Sequence, residues 1–388
     1  MKKFFLFAAI LITFCVCYLI FFVYYRGADR SKEFPPCLNN GQKWIIGYMQ
    51  SGKFKGYDSS FKNFINQLAE LGWLESVDWK KLSAGADARD MWYFLAKNMH
   101  SKYLQIETKY FWSADWNRDK RRTLSKQVLS KLKNKKIDLM LAMGVWAGKD
   151  LVNNLHSTPT LSLGSSFPIE KSFEKSGEIP GHIYLVRNPD FLIRQIRLFK
   201  KITKFKTLGV VYAASSEGRF EASLKLLKQY SKEENFKLIA IKILPFRKVQ
   251  SKEHLNNYVK AYEKLAPQID AMWVTSGLIN SPQMAKQILA PLFKYKIPTW
   301  YPHGEHGVAN GVVFGVIHDP EKIARHYALT TAKIFNGAKP SSQIKDLPIN
   351  NHLVINCAAA QKIDLKISSS LLGVAKKSYL HINTGKNQ

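Results

Sequence analysis

Cysteine is nearly absent from this chain, with four in 388 residues. Cys15 and Cys17 lie in an apolar N-terminal run, leaving Cys37 and Cys357 for the folded part, too few for a disulfide framework. Their separation neither supports nor excludes one bridge. Acidic residues are also scarce: 29 Asp plus Glu against 58 Lys plus Arg give a formal charge of +29. Such a field attracts anionic lipid, nucleic acid or acidic polymer. The basic residues recur as short clusters (Arg118, Lys120, Arg121, Arg122; Lys131, Lys133, Lys135, Lys136; Lys200, Lys201, Lys204, Lys206) that read as solvated helix faces and exits. No RNP-like aromatic signature, zinc-finger spacing or basic zipper accompanies them, so no nucleic-acid partner is expected.

Catalytic signatures are missing too: Gly-x-Ser-x-Gly, a Walker-type phosphate loop and Gly-x-Gly-x-x-Gly are all absent. His303-Gly304-Glu305-His306, with His318 downstream, lacks the His-Glu-x-x-His spacing of a zinc helix. Pro302, Gly304 and Gly307 make that cluster a loop of hydrogen-bonded histidines. The expectation is therefore no enzyme activity, no catalytic residue, no metal and no cofactor. No internal repeat of about 20–50 residues is visible.

What is present begins with Phe4 to Tyr25, an uncharged stretch of 22 residues whose most polar member is Thr13. As a helix it spans about 33 Å, enough for a hydrocarbon core. It is longer than the apolar part of a cleavable signal and has no small-x-small cleavage site. Residues 1–26 are read as a membrane anchor or uncleaved signal and 27–42 as a linker. Lys2 and Lys3 on one side nearly balance Arg26, Arg30 and Lys32 on the other, so charge alone leaves the orientation open.

From Lys43 the chain alternates. Apolar runs of strand length (Trp44–Met49, Ile137–Met143, Thr160–Leu163, Leu208–Tyr212, Ile269–Thr275, Ile297–Tyr301, Gly311–Ile317) interleave with amphipathic stretches such as Ser59–Leu71, Asp119–Leu132, Glu217–Tyr230, Ser281–Tyr295 and Pro320–Phe335. Near-continuous apolar runs suit strands covered on both faces, so the pattern predicts an α/β fold with parallel sheets. The number of strands predicts two sheets, with Gly164–Pro180 as a crossover between them. Asp319-Pro320 reads as a helix start and Asn336-Gly337 as its exit. Ala86–Met99 is predicted as one helix carrying Trp92, Tyr93 and Phe94 for packing.

In open α/β sheets, ligands bind beyond the carboxyl ends of strands, where loops meet helix N-termini. That draws attention to Gln50 and Ser51 with Tyr57 and Asp58, to Gly144, Val145 and Trp146, and to Ser165 and Ser166. Ser215 follows another strand, and Ser276 and Asn280 follow a further one. Each Ser or Asn is also an ordinary helix cap.

The ordered set of these pieces, from Trp44 to Tyr379, resembles the ABC-transporter substrate-binding proteins of the type I periplasmic-binding fold, in the branch that includes receptors for tryptophan and other aromatic amino acids. It runs through Trp44-Ile45-Ile46-Gly47-Tyr48-Met49-Gln50, Asp58, Asn63-Phe64, Leu71-Gly72-Trp73 and Ile137-Asp138-Leu139 to Ala147. It continues in Lys296-Ile297-Pro298, Glu305, Val308, Gly311, Asp319, Ala332 to Pro340, Leu347-Pro348, Ile355-Asn356 and Ile363 to Ile367. The resemblance implies two Rossmann-like lobes joined by three crossovers and closing like a hinge. One lobe holds 43–163 and 307–338, the other 164–306 and 339–380, and 381–388 forms a tail.

It further implies a monomeric, extracytoplasmic solute-binding component on the periplasmic face of the inner membrane, partnered by ABC permease and ATPase subunits. The chain departs from the family pattern at Val145-Trp146, at Ser276-Gly277 and at Ala213 to Glu217, where amino-acid binders carry Thr, Asp-Asn and Asn-Pro-x-Glu. Asp58 and Glu305 are the remaining carboxylates for a ligand cation. Trp146 and Tyr57 offer faces for a planar ligand, while Trp300, on a strand, is read as packing. The ligand is expected to be amino-acid-like or another planar, polar solute. The alternative is a membrane-anchored sensor or cell-envelope interaction protein that reuses the fold without transport.

Overall fold

A computed structural model describes residues 34–163, 179–186, 190–244, 252–275, 277–302, 304–344 and 352–385. The first lobe is built on β1 (Trp44–Gln50), β2 (Leu104–Ser113), β3 (Leu139–Met143), β4 (Thr160–Leu163) and β5 (Ile183–Leu185). They form one parallel sheet in the order β2-β1-β3-β4-β5, with Ile46 opposite Leu139. Helices α1 (Lys55–Glu70), α2 (Ala88–Asn98), α3 (Arg118–Lys133) and α4 (Gly144–Leu151) connect them. β3 is buried along its whole length, as a strand covered on both faces must be.

The second lobe carries a seven-stranded sheet. Its strands are β6 (Thr207–Ala213), β7 (Lys237–Ile243), β8 (Ala271–Trp273), β9 (Thr299–Tyr301), β10 (Phe314–Ile317), β11 (His352–Asn356) and β12 (Lys377–Tyr379), in the order β12-β11-β10-β9-β8-β6-β7. It is parallel except where β10 meets β11, so this sheet is mixed rather than fully parallel. One face packs on α5 (Phe191–Thr203), α7 (Leu224–Glu233) and α12 (Cys357–Lys362). The other packs on α8 (Lys252–Leu265) and α9 (Pro282–Lys294). Short helices α6 (Ser216–Glu221), α10 (Glu305–Ala309) and α13 (Ser369–Val374) complete it.

The chain crosses between sheets three times. α11 (Pro320–Phe335) returns to the first lobe, where Tyr327, Ala328, Ala332 and Phe335 join its core. Asp319 caps α11 by accepting the N–H groups of Glu321 and Lys322, both at 3.2 Å.

Sheet membership differs from the expected boundaries in two places. β5 pairs with β4 in the first lobe, so the chain has not changed sheets by Ile183–Leu185. β10 pairs with β9 in the second lobe, although 307–338 was assigned to the first. Hydrogen-bond pairing decides both cases, and a strand's sequence does not name its neighbour. The stretch read as one helix from Glu217 to Tyr230 is broken between α6 and α7, where Ser223 adopts φ +49°. The histidine-bearing loop includes the short helix α10; His303 itself lies outside the described residues.

The two lobes repeat one local device that the sequence reading missed. Asp138 Oδ2 accepts the Ile45 N–H at 2.8 Å, and Asp270 Oδ2 accepts the Thr207 N–H at 2.9 Å. Gly47 of β1 lies under Ile137 and Met140, and Gly209 of β6 lies under Ile269 and Met272, each too close for a side chain. Ile137-Asp138-Leu139-Met140 and Ile269-Asp270-Ala271-Met272 are thus equivalent pieces of two half-molecules. Cys37 and Cys357 sit in different lobes and are both free thiols. Among the described residues no helix is long and apolar enough to cross a membrane; residues 4–25 lie outside them.

Candidate functional site

The carboxyl ends of β1 and β3 in one lobe face those of β6 and β8 in the other. Between them lies a cavity of ≈ 70 Å³, with Arg118 and Trp146 on the first-lobe side and Tyr212, Glu221, His254 and Tyr258 among the second-lobe residues.

Trp146 is the hub. Its indole Nε1 donates to Glu221 Oε1 at 3.2 Å, a hydrogen bond from one lobe to the other. Trp116 meets its ring edge-on at 5.6 Å, and the Arg121 guanidinium lies 5.1 Å from the ring centroid. Arg121 is itself held by Asp150, through contacts of 2.8 and 2.6 Å. Arg118 stands 5.9 Å from the same ring. An opposite pair of charges thus flanks one indole, with Arg118 on one lobe and Glu221 on the other.

The turn beneath Trp146 explains its placement. Ser51, immediately after β1, accepts the N–H of Trp146 at 3.0 Å and that of Ala147 at 3.4 Å through its hydroxyl oxygen, capping α4. Gly144 opens the helix at φ +85°, and a Cβ there would run into the hydroxyl of Tyr57 and into Ser51 Oγ. Burial pushes the Tyr57 phenol well above its ordinary value, and Glu221 and Tyr301 of the other lobe push the same way. Ser51, Tyr57, Gly144, Val145 and Trp146 are therefore brought together at one corner of the cleft.

Other expected site residues have different surroundings. Gln50 is buried in the first lobe between Tyr48 Oη and Ser113 Oγ, at 3.1 and 3.2 Å. Asp58 accepts the Ala88 N–H at 2.9 Å, starting α2, and burial pushes its carboxyl up. Ser215 accepts the Gly218 N–H at 3.0 Å, tightening the turn into α6 that carries Glu221. Asn280 pairs with Tyr301 Oη at 3.1 Å. Glu305 accepts from Lys377 at 2.8 Å and from Tyr379 at 2.9 Å. Burial works to raise the Glu305 carboxyl, but these two donors outweigh it and hold it below the ordinary range. Glu305 is thus engaged within its own lobe. Ser165, Ser166 and Ser276 lie outside the described residues.

Sequence reasoning missed Arg118, Tyr212, Glu221, His254, Tyr258 and Thr275 of the cavity wall. Arg118 was hidden in a cluster read as a solvated face. Glu221 was hidden inside what read as one uninterrupted helix. His254 is buried, stacks on Tyr258 at 5.1 Å, and has its pKa lowered by burial to about 4. Among the described residues no group of three or more His, Cys, Asp or Glu is placed to hold a metal ion.

A two-lobed α/β molecule with its cavity at the strand ends matches a known family over residues 105–379, that of the ABC transporter substrate binding proteins. The chain belongs to this family. It is accordingly a solute-binding component of an ABC-type transport system, taking a small ligand between its two lobes, in a family that works outside the cytoplasm with permease and ATPase subunits. Similar solved structures include an ABC domain from Streptococcus pneumoniae in complex with L-Trp, with 18% identity and a TM-score of 0.64, covering 87% of this chain and 100% of that one. A conserved domain protein from Vibrio cholerae O1 biovar eltor has 17% identity and a TM-score of 0.61 at the same coverages. The ligand-free, open form of a substrate binding protein with adhesive properties from Clostridium difficile has 19% identity and a TM-score of 0.55, again covering 87% of this chain and 100% of that one. At these identities the likeness is one of fold. No curated protein matches the chain.

Proposed function

We propose that this substrate-binding protein captures an amino-acid-like solute bearing a planar group and both a cationic and an anionic group, without transforming it. The observation that carries this reading is that Arg118 of one lobe and Glu221 of the other line the same cavity and both meet the Trp146 indole, Arg118 at 5.9 Å from its ring and Glu221 as acceptor of its N–H. A ligand carboxylate matches the Arg118 guanidinium, whose fork suits bidentate contact. A ligand ammonium matches Glu221, which supplies the carboxylate that the departures at Ser276-Gly277 and Ala213 to Glu217 remove elsewhere. Tyr57, Tyr212 and Tyr258 add aromatic walls for the planar part. The L-Trp complex of the Streptococcus pneumoniae neighbour favours the same ligand class.

In this reading Ser51 and Gly144 set the geometry, and Trp146 exchanges its bond with Glu221 for contact with the ligand as the lobes close. Residues 4–25 hold the protein to the outer face of the cytoplasmic membrane, beside the permease it serves. The test is a thermal-shift screen of amino acids, nucleosides, purines and sugars on the full chain in detergent. A ligand at 100 times its Kd adds about 2.7 kcal/mol of stability. Arg118→Gln and Glu221→Gln are each expected to weaken that ligand about tenfold, as loss of one charge-assisted hydrogen bond does. If no compound shifts melting, or if both variants bind as wild type does, the reading fails.

A further inference from the structure

The first described residues, 34–44, are pinned to one end of the first lobe. The Asn336 side chain, just past α11, donates to the Pro35 carbonyl at 3.1 Å. The Cys37 thiol donates to the Phe335 carbonyl at 3.4 Å, and the Trp44 indole donates to the Cys37 carbonyl at 2.9 Å. Trp44 and Phe335 stack at 4.3 Å, and Lys333 lies 5.2 Å from the Phe34 ring centroid. The chain therefore enters the fold at the amino ends of the first-lobe strands. The cleft lies at their other ends, about 23 Å away along a seven-residue strand.

This same end is rich in lysine. Lys43 and Lys102 precede β1 and β2, Lys131 and Lys133 occupy the last turn of α3, and Lys135 and Lys136 lead into β3. All six are exposed. The parallel topology gathers them, because every strand of this sheet starts, and every preceding helix stops, at this edge. Opposing charge is sparse. Glu70 and Glu75 lie at this end, while Asp138 is engaged by the Asn39 side chain and the Ile45 N–H. Eight residues, 26–33, separate Tyr25 from Phe34, which limits their reach to about 28 Å when fully extended.

We infer that this lysine-rich end of the first lobe is a docking surface for anionic phospholipid, which lays the anchored protein on its membrane with the first lobe down. The inference rests on the reading of residues 4–25 as an anchor. The tether keeps the surface near the bilayer, and the charge decides which side faces it, since lysines near an anionic leaflet are attracted within about one Debye length of roughly 10 Å. The second lobe has its own lysine group, Lys204, Lys206 and Lys237 around an open hollow of ≈ 560 Å³, at the amino ends of β6 and β7. It belongs to the lobe that the N-terminal chain does not enter, and it serves as an internal control.

The experiment uses the full chain bound to vesicles of phosphatidylcholine, or of phosphatidylcholine with phosphatidylglycerol, and reads amine labelling lysine by lysine. Lys43, Lys102, Lys135 and Lys136 are expected to label about fivefold more slowly on the phosphatidylglycerol vesicles, with Lys204, Lys206 and Lys237 unchanged, the difference closing at high salt. A Lys102→Glu, Lys133→Glu, Lys136→Glu variant with an unaltered melting temperature is expected to lose the protection of Lys43 and Lys135. Equal labelling of the two groups on both vesicles overturns the docking surface while leaving the anchor standing. Failure of the chain to float with either vesicle overturns both.

Discussion

At Gly144 the backbone holds φ +85° while Tyr57 and Ser51 occupy the space where a side chain would project. Gly144→Ala therefore combines backbone strain with a clash, and about 1–3 kcal/mol of stability is expected to be lost, measured by denaturant unfolding. Ligand binding is expected to fall with it, because the same turn places Trp146. Histidines impose a pH dependence of their own. His156 and His182 meet edge-on at 4.7 Å. Burial lowers both, and the proximity of His156 lowers His182 further, to about 4. The unfolded chain takes up protons near 6.5 and the folded chain only near 4, so the unfolded state binds more protons between these values. Stability contributed by keeping His182 and His254 neutral is expected to be complete above pH 6.5 and to drain away as pH falls towards 4, with His156 acting in the same direction. Replacing His182 by Phe should flatten the melting-temperature profile across that window; an unchanged slope would refute the assignment.

Elements show where pattern reading succeeds and where it stops. β1, β3, β4 and β6 were legible because a strand buried on both faces is a continuous apolar run. β7, Lys237–Ile243, was missed because it is a sheet edge carrying Lys237 and Lys242, and edges are expected to be polar. The break between α6 and α7 was illegible for a different reason. Ser223 is no helix breaker by type, yet it sits at φ +49° so that Leu224, Leu227 and Tyr230 meet the core. Ser223→Gly relieves that conformation and is expected to stabilise the chain by about 1 kcal/mol. Asp319 was legible as a cap, and Asp319→Ala is expected to cost about 1 kcal/mol, read as a lower urea midpoint.

For the whole molecule the relevant variable is the separation of the lobes. An indole-to-carboxylate bond, Trp146 to Glu221, runs from one lobe to the other beside the cavity. Glu221→Ala removes that bond without touching either core, and the ligand-free protein is expected to become more open, seen as a larger radius of gyration in solution scattering. An unchanged radius would mean that other inter-lobe contacts hold the lobes closed. The scarcity of acid and the abundance of lysine also acquire a geometry at this scale. Helix ends and strand starts coincide at the outer end of the parallel first-lobe sheet, and lysines that cap the helix dipoles collect there.

The amino-acid sequence by itself determined the α/β class, the doubling of the sheet and the positions of seven of the twelve described strands, because these follow from apolar periodicity and caps within about twenty neighbouring residues. It also brought Ser51, Tyr57, Gly144 and Trp146 into view, since each sits at the carboxyl end of a legible strand or just beyond it. Tertiary structure alone decided that β5 belongs to the first lobe and β10 to the second, because strand pairing depends on partners far away in the chain. It alone brought Arg118 and Glu221, residues 103 positions apart and in different lobes, to the walls of one cavity around Trp146. It also gathered lysines from three separate connections onto the face where the N-terminal chain enters.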